Sequence, residues 1–246
     1  MTKWSLSSDF SLIHNPSSVW SYGSKPAGYY VTGKFSLFTH LDPEPDAYRR
    51  EIVAWFGSDT VWYTHWLGVY YNIKPTDVIF HTIPFPANSV AMHPGDDGRF
   101  SVVRFIAPED GNYVLDATFT HAPYTCTGTQ HSGAYIVYNN SMALWEIDLA
   151  GAGYSKSFKT TNSGITVRAN EHVDFIVGVG IDNKFDCDLT FARVDIQLLE
   201  NPEFPVPAIT GSTGFGFVLG VVITTILFYI YYRYRRNVNA GYQAIN

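Results

Sequence analysis

From Gly214 to Tyr232 the chain reads GFGFVLGVVITTILFYIYY, a run without charge that is closed at once by Arg233, Arg235 and Arg236. At about 1.5 Å of rise per residue such a run crosses the roughly 30 Å hydrocarbon core of a bilayer, whereas buried core helices carry apolar stretches of about 10–14 residues. The sequence therefore predicts one transmembrane helix over 209–232. Tyr229, Tyr231, Tyr232 and Tyr234 fall at headgroup level on the arginine side, and the opposite flank carries Glu200 and Glu203. Arginines stay on the cytosolic side of a membrane helix. That rule makes 233–246 a cytosolic tail and places the large N-terminal part in the extracellular or luminal space, at the plasma membrane or in endolysosomes.

Within the span Ser212, Gly216 and Gly220 recur at four-residue spacing, the small-residue pattern that lets two helix backbones approach and form a homodimer. Asn201–Pro207 contains Pro202, Pro205 and Pro207, which hold the chain extended, so 200–208 reads as a stiff stalk. Met1–Phe10 has no apolar stretch of the length an export signal needs. Two expectations compete: a chain truncated at its start, and tail anchoring. Tail anchoring would carry three arginines across the membrane, so truncation is preferred.

Residues 1–199 set the fold class. Aromatic residues make up 16% of the chain against 15% charged, and Val, Thr, Tyr, Phe and Trp are spread along it rather than grouped at helical spacing. Ser101–Phe105, Tyr113–Phe119, Tyr135–Tyr138 and His172–Val179 alternate apolar and polar residues as half-buried strands do. Turn signals separate them at Asn15-Pro16, His93–Gly98, Glu109–Gly111 and Asn139–Ser141. The expectation is an all-β, jelly-roll-like antiparallel β-sandwich followed by one C-terminal transmembrane helix. A formal net charge of −6 and the absence of a basic face exclude nucleic acid as a partner.

The order Asp9-Phe10, Asn15-Pro16, Val19–Gly23, His93–Gly95, Ser101–Phe105, Ala107-Pro108 and Gly111–Tyr113 resembles the exported domain of PEP-CTERM-tagged and planctomycete surface proteins. Glu171–Gly178 and Asp188–Thr190 resemble later motifs of that group. The resemblance implies a jelly-roll-like sandwich, and an export signal ahead of the segment matched by Asp9-Phe10. It implies no biochemical activity. Ser17-Ser18 departs from that group's turn, and its sorting motif is missing. At the other end, Gly241, Tyr242 and Ile245 form a tail similar to that of lysosome-associated membrane proteins, which implies a clathrin adaptor as partner and endolysosomal sorting.

Cys126 and Cys187 are the only cysteines, an even pair outside CxxC spacing, and are expected to form a disulfide outside the cytosol. Asn139-Asn140-Ser141 is an N-glycosylation sequon at an expected hairpin tip. Asp182, Asp186 and Asp188 crowd oxygen ligands into one loop and make a weak calcium candidate. No other cofactor or metal is expected, and His93 is read as the residue that opens a strand.

No Gly-x-Ser-x-Gly is present, and the carboxylate pairs Glu146/Asp148 and Asp174/Asp188 are ordinary on sandwich strands, so no enzyme is expected. The favoured function is a ligand-binding or adhesion domain, with a glycan or a protein as ligand. Strand alternation would put Trp62 and Trp66 on one face, where aromatic rings could stack on sugars, and core packing is the competing reading. A membrane coat without a specific ligand and a glycan-active enzyme are the alternatives.

Overall fold

The computed structural model describes residues 2–42, 51–59, 66–80, 82–123 and 130–199. The chain divides into two units, Met1–Asn201 and Pro202–Asn246, and every described residue lies in the first. The membrane helix, stalk and tail predicted over 200–246 lie outside the described residues, as do Ser212, Gly216, Gly220, Gly241, Tyr242 and Ile245. Among the described residues no helix is long and apolar enough to cross a membrane.

The first unit is all-β, with a single 3₁₀ turn at Ala27–Tyr29 among the described residues. In chain order its strands are β1 (Lys3–Ser5), β2 (Trp20–Pro26), β3 (Ser36–Leu37), β4 (His40–Asp42), β5 (Ile52–Phe56), β6 (Gly68–Asn72), β7 (Val78–Phe80), β8 (Ile83–Phe85) and β9 (Val90–His93). They continue as β10 (Arg99–Ile106), β11 (Gly111–His121), β12 (His131–Tyr138), β13 (Met142–Ala150), β14 (Ser155–Lys159), β15 (Ile165–Val167), β16 (His172–Val179) and β17 (Thr190–Leu199). One sheet runs β14-β11-β17-β9-β6-β5-β4, with β1 on β17 and β15 on β11; the other runs β13-β12-β16-β10-β2-β3. The strand pairings are antiparallel, and the two sheets enclose a common core as expected for a sandwich.

Period-two patterning explains the β11–β17 half of the first sheet. Along β11 Tyr113, Leu115, Ala117 and Phe119 are buried and the residues between them are not, so one face meets the core and the other meets water. The second sheet is different, because β10, β12 and β16 are buried on both faces. Trp20, Tyr22, Val103, Phe105, Ile136 and Phe175 point into the sandwich. Phe100, Val102, Tyr135, Val137 and Ile176 point outward and are covered by Ala27, Tyr30, Val31 and Phe35. Gly23 makes that cover fit, since a Cβ there would stand 2.6 Å from the Phe35 ring and 2.3 Å from the Ser36 carbonyl oxygen.

Beneath the cover lies a charge cluster. The Lys25 ammonium sits 2.7 Å from Asp174 Oδ2 with both side chains wholly buried, and it also donates to the Tyr30 and Val31 carbonyls at 3.0 and 3.2 Å. Arg104 binds the same carboxylate through Nε at 2.7 Å and Nη2 at 2.9 Å, with its guanidinium over the Phe35 ring. Both Asp174 oxygens are thereby paired with cations.

The hairpin β7–β8 covers the outer face of β5, β6 and β9 in the same way, burying Phe80, Ile83 and Phe85 against Ile52, Ala54, Tyr70 and Ala91. Asn72 pins it: the buried amide reaches the Phe85 and Pro86 carbonyls at 3.2 and 2.9 Å while Oδ1 accepts from Lys74 N–H at 2.9 Å.

Two expectations need correction here. His93 closes β9 rather than opening a strand, because the Pro94-Gly95 turn follows it. Trp66 lies in no strand: it precedes β6 at φ 65°, so the alternation argument that put it on one face with Trp62 does not apply. Trp62 itself lies outside the described residues.

Candidate functional site

The register of the first sheet brings four strand ends together. Gly68 at the start of β6 pairs with His93 at the end of β9, Met92 pairs with Thr190 at the start of β17, and Thr190 pairs with His121 at the end of β11. A 2.6 Å hydrogen bond between the Ser132 and Thr190 hydroxyls ties this end to the second sheet. Beside these strand ends lies a pocket of about 270 Å³. Trp66, Phe80, Ile83 and Leu189 supply its apolar wall, and His93, Asp186 and Cys187 supply its polar one.

Three segments with unusual backbones meet here. Among the described residues the non-glycine positions at positive φ are five asparagines, which tolerate that conformation, and Trp66, Thr82 and Cys187, which do so less readily. Trp66 and Cys187 line the pocket, and Thr82 turns the hairpin between Phe80 and Ile83. Such positions cost on the order of 1–3 kcal/mol each and persist where surrounding structure holds them. At Trp66 one clamp is visible: Tyr70 donates its hydroxyl hydrogen to the Trp66 carbonyl at 2.7 Å. Trp66 as a whole residue is 39% exposed, with its ring centroid 5.9 Å from that of His93.

Burial sets the protonation of His93 and Asp188. Burial pushes the His93 imidazole down to about 4, with neighbouring His121 acting in the same direction, so the ring is neutral at pH 7. Nδ1 lies 2.6 Å from the Pro94 carbonyl, which can only accept, so Nδ1 carries the hydrogen and Nε2 keeps its lone pair. His121 is held down by burial too, against a hydrogen bond with the Cys187 backbone. Asp188 is 1% exposed, and burial, then Asp182, Asp186 and Asp148, push its carboxyl up to about 9. It is therefore protonated at neutral pH.

Of the residues singled out in the sequence, Trp66, Asp186 and Cys187 come together at this pocket, and the buried Asp188 is the next residue along the chain. Asp182, Asp186 and Asp188 do share a corner, yet among the described residues no group of three or more His, Cys, Asp or Glu side chains is arranged to hold a metal ion. Cys187 is disulfide-bonded rather than free, and Cys126 lies outside the described residues. Asn139 and Asn140 form the β12–β13 turn with φ 47° and 52°, and Asn139 Nδ2 is 3.5 Å from Glu171 Oε1.

Glu146 accepts from the Tyr30 hydroxyl at 2.7 Å while Asp148 meets His131 Nδ1 at 2.5 Å. Asp174 is held by Lys25 and Arg104, away from the carboxylates that act on Asp188. Sequence reasoning missed Phe80, Ile83, His93 and Leu189 as pocket residues. The Thr82 turn between two short apolar runs was the available signal for the first two.

No protein-family model and no curated protein matches the chain. Among solved structures it is similar to the CBM51 module of Clostridium perfringens GH95 in complex with methyl-galactose, at 8% identity and TM-score 0.36 over 55% of this chain and 91% of that one. It is also similar to the C-terminal CBM6 of a laminarinase from Zobellia galactanivorans, at 8% identity and TM-score 0.26 over 72% and 99% of the two chains. A Stig cyclase from Fischerella sp. TAU matches at 10% identity and TM-score 0.31 over 54% and 75%. The likeness is one of β-sandwich architecture.

Proposed function

We propose that this chain is a single-pass membrane protein whose outward-facing β-sandwich binds a glycan in the Trp66 pocket. The observation that carries the reading is the half-open indole of Trp66, held in a left-handed backbone conformation at the mouth of a pocket with a polar wall. Sugar rings have an apolar face of C–H bonds that stacks on an aromatic ring, and hydroxyls that need acceptors at fixed places. His93 Nε2 and the Asp186 carboxylate are such acceptors, and Phe80, Ile83 and Leu189 exclude water from the rest of the cavity. A volume of about 270 Å³ lies just below the usual range of ligand sites, about 300 to 1,000 Å³, so the pocket suits a terminal sugar rather than a long chain.

The rest of the proposal rests on sequence. The uncharged run 209–232 anchors the domain, the Arg-rich tail lies in the cytosol, and Tyr242 with Ile245 engages a clathrin adaptor. Cys187 pairs with Cys126, the one other cysteine of the chain, which fixes the loop that carries Asp186.

The test is binding of the full chain, in detergent micelles, to an array of glycans, followed by titration of those retained. Trp66→Gly removes the ring while suiting a positive φ, so the fold is kept. It should weaken binding at least tenfold, about 1.4 kcal/mol, with an unchanged far-ultraviolet circular dichroism spectrum. An array on which the wild-type chain retains no glycan, or a Trp66→Gly chain that binds as well as wild type, would sink the reading.

A further inference from the structure

We infer that the glycan of the Trp66 pocket ends in a 6-deoxyhexose, a sugar that carries a methyl group where an ordinary hexose carries a hydroxymethyl. The inference rests on the glycan-binding reading and goes past it to the class of sugar.

Burial grades the pocket from floor to mouth. Phe80, Ile83 and Leu189 are 1%, 7% and 2% exposed, and they belong to one hydrophobic cluster with Ile52, Tyr70 and Phe85. What these three show to the cavity is the open top of that cluster, so the floor is apolar. Trp66 and Asp186 are exposed and form the mouth. His93 is buried, and Nε2 is the one acceptor of its ring, because Nδ1 donates to the Pro94 carbonyl. Among the described residues that line the cavity there is no serine, threonine, asparagine, glutamine, lysine or arginine.

An ordinary hexose fits this gradient badly. Its C–H face can stack on the indole and its ring hydroxyls can turn to His93, Asp186 and water, but the hydroxymethyl arm reaches further than either. A hydroxyl pressed onto Phe80, Ile83 and Leu189 gives up water and gains no partner, which is unfavourable. Taking away that one oxygen leaves a methyl, whose burial on the same floor is favourable. An N-acetyl methyl is apolar too, yet it brings an amide with it, and no hydroxyl, amide or cationic side chain of the described lining receives the amide oxygen. Uronates and sulfated sugars meet the same lack of a donor, with Asp186 repelling them at the mouth.

The experiment titrates methyl glycosides into the full chain in detergent micelles, in pairs that differ only by the oxygen on C6. The pairs are L-fucose with L-galactose, D-fucose with D-galactose, and L-rhamnose with L-mannose; N-acetylglucosamine is run beside them. In the pair whose ring stereochemistry the pocket accepts, the 6-deoxy member should bind about tenfold more tightly, the gain that one hydrocarbon group brings in an apolar pocket. That advantage should largely disappear in Ile83→Thr, which sets a hydroxyl at the floor, whereas Trp66→Gly should lose both members of the pair. Phe80→Tyr makes the same comparison if the Ile83→Thr chain does not fold. Equal or weaker binding of the 6-deoxy member in all three pairs, tighter binding of N-acetylglucosamine than of every 6-deoxy sugar, or an undiminished advantage in a folded floor variant overturns the inference and leaves the glycan-binding reading in place. Failure of all these glycosides, with other glycans retained on the array, likewise overturns the inference alone; an empty array overturns both.

Discussion

Asp174 and Asp188 are both buried almost completely in one sandwich, and they meet opposite fates. Asp174 is flanked by Lys25 and Arg104, which occupy both of its oxygens at 2.7–2.9 Å. Asp188 faces Asp182, Asp186 and Asp148, and one of its oxygens has no partner. A carboxylate taken out of water stays ionised only where cations replace the lost hydration; otherwise it keeps its proton. The first arrangement closes a structural junction under the 27–35 segment, and the second leaves a neutral carboxyl enclosed in an acidic corner. Burial alone does not separate scaffold from site, whereas what surrounds the buried group does.

The contrast can be broken most forcefully at its structural pole. Asp174→Asn leaves Lys25 buried without a counter-ion and should cost about 3–5 kcal/mol, read as a lowered urea midpoint for the full chain. Asp188→Asn replaces a carboxyl that is already neutral and should cost far less at pH 7. Equal losses in the two variants would erase the distinction. A smaller effect is expected at the covalent tie next to the acidic corner. Cys187→Ser should cost roughly 2–4 kcal/mol through the loop that the disulfide closes, and reduction of the wild-type chain should reproduce the loss. A reduced chain as stable as the oxidised one would remove the proposed Cys126 pairing as a support of the pocket.

The mildest test is by pH. Asp188 ionises near 3.8 in the unfolded chain and near 9 in the fold. Between those values the folded state holds the extra proton. Its contribution is therefore complete below about pH 4 and is lost as pH rises through 9. His93 acts in the reverse sense: its folded value near 4 lies under the unfolded 6.5, so its contribution is present above 6.5 and lost as pH falls. Between pH 7 and 8 only Asp188 of these two is changing. Wild type should then lose about 1 kcal/mol relative to Asp188→Asn, at most 1.4 kcal/mol per pH unit. Parallel stability curves for the two chains over that interval would show that Asp188 is ionised in the fold.

How much of this was legible depends on where each residue's partners come from. β11 could be read from its own letters, because one face is dry and the other wet. β12 and β16 carry weaker alternation, since the 27–35 segment dries their outer face as well. The Lys25–Asp174–Arg104 cluster was invisible because its members come from three strands distant in sequence, and a lone lysine in an aromatic strand was its only trace. Trp66 was singled out on the mistaken premise of a strand. It matters because a turn, which no periodicity announces, lifts it to the pocket mouth. Asp182, Asp186 and Asp188 were noticed as a weak calcium candidate, and a count of carboxylates in sequence cannot tell convergence from mere proximity.

The pairing of β1 with β17 sets the order in which the domain can be completed. Lys3, Trp4 and Ser5 lie against Gln197, Ile196 and Asp195, and Leu198 N–H bonds to the Thr2 carbonyl at 3.0 Å. Trp4, which packs on Phe105 and Tyr113, therefore has no finished seat until the last described strand has been made. Contacts so far apart along the chain are slow to form. A ribosome translating this sequence would have to release β17 before the opening segment could dock, so maturation is timed from the C-terminal side of the domain.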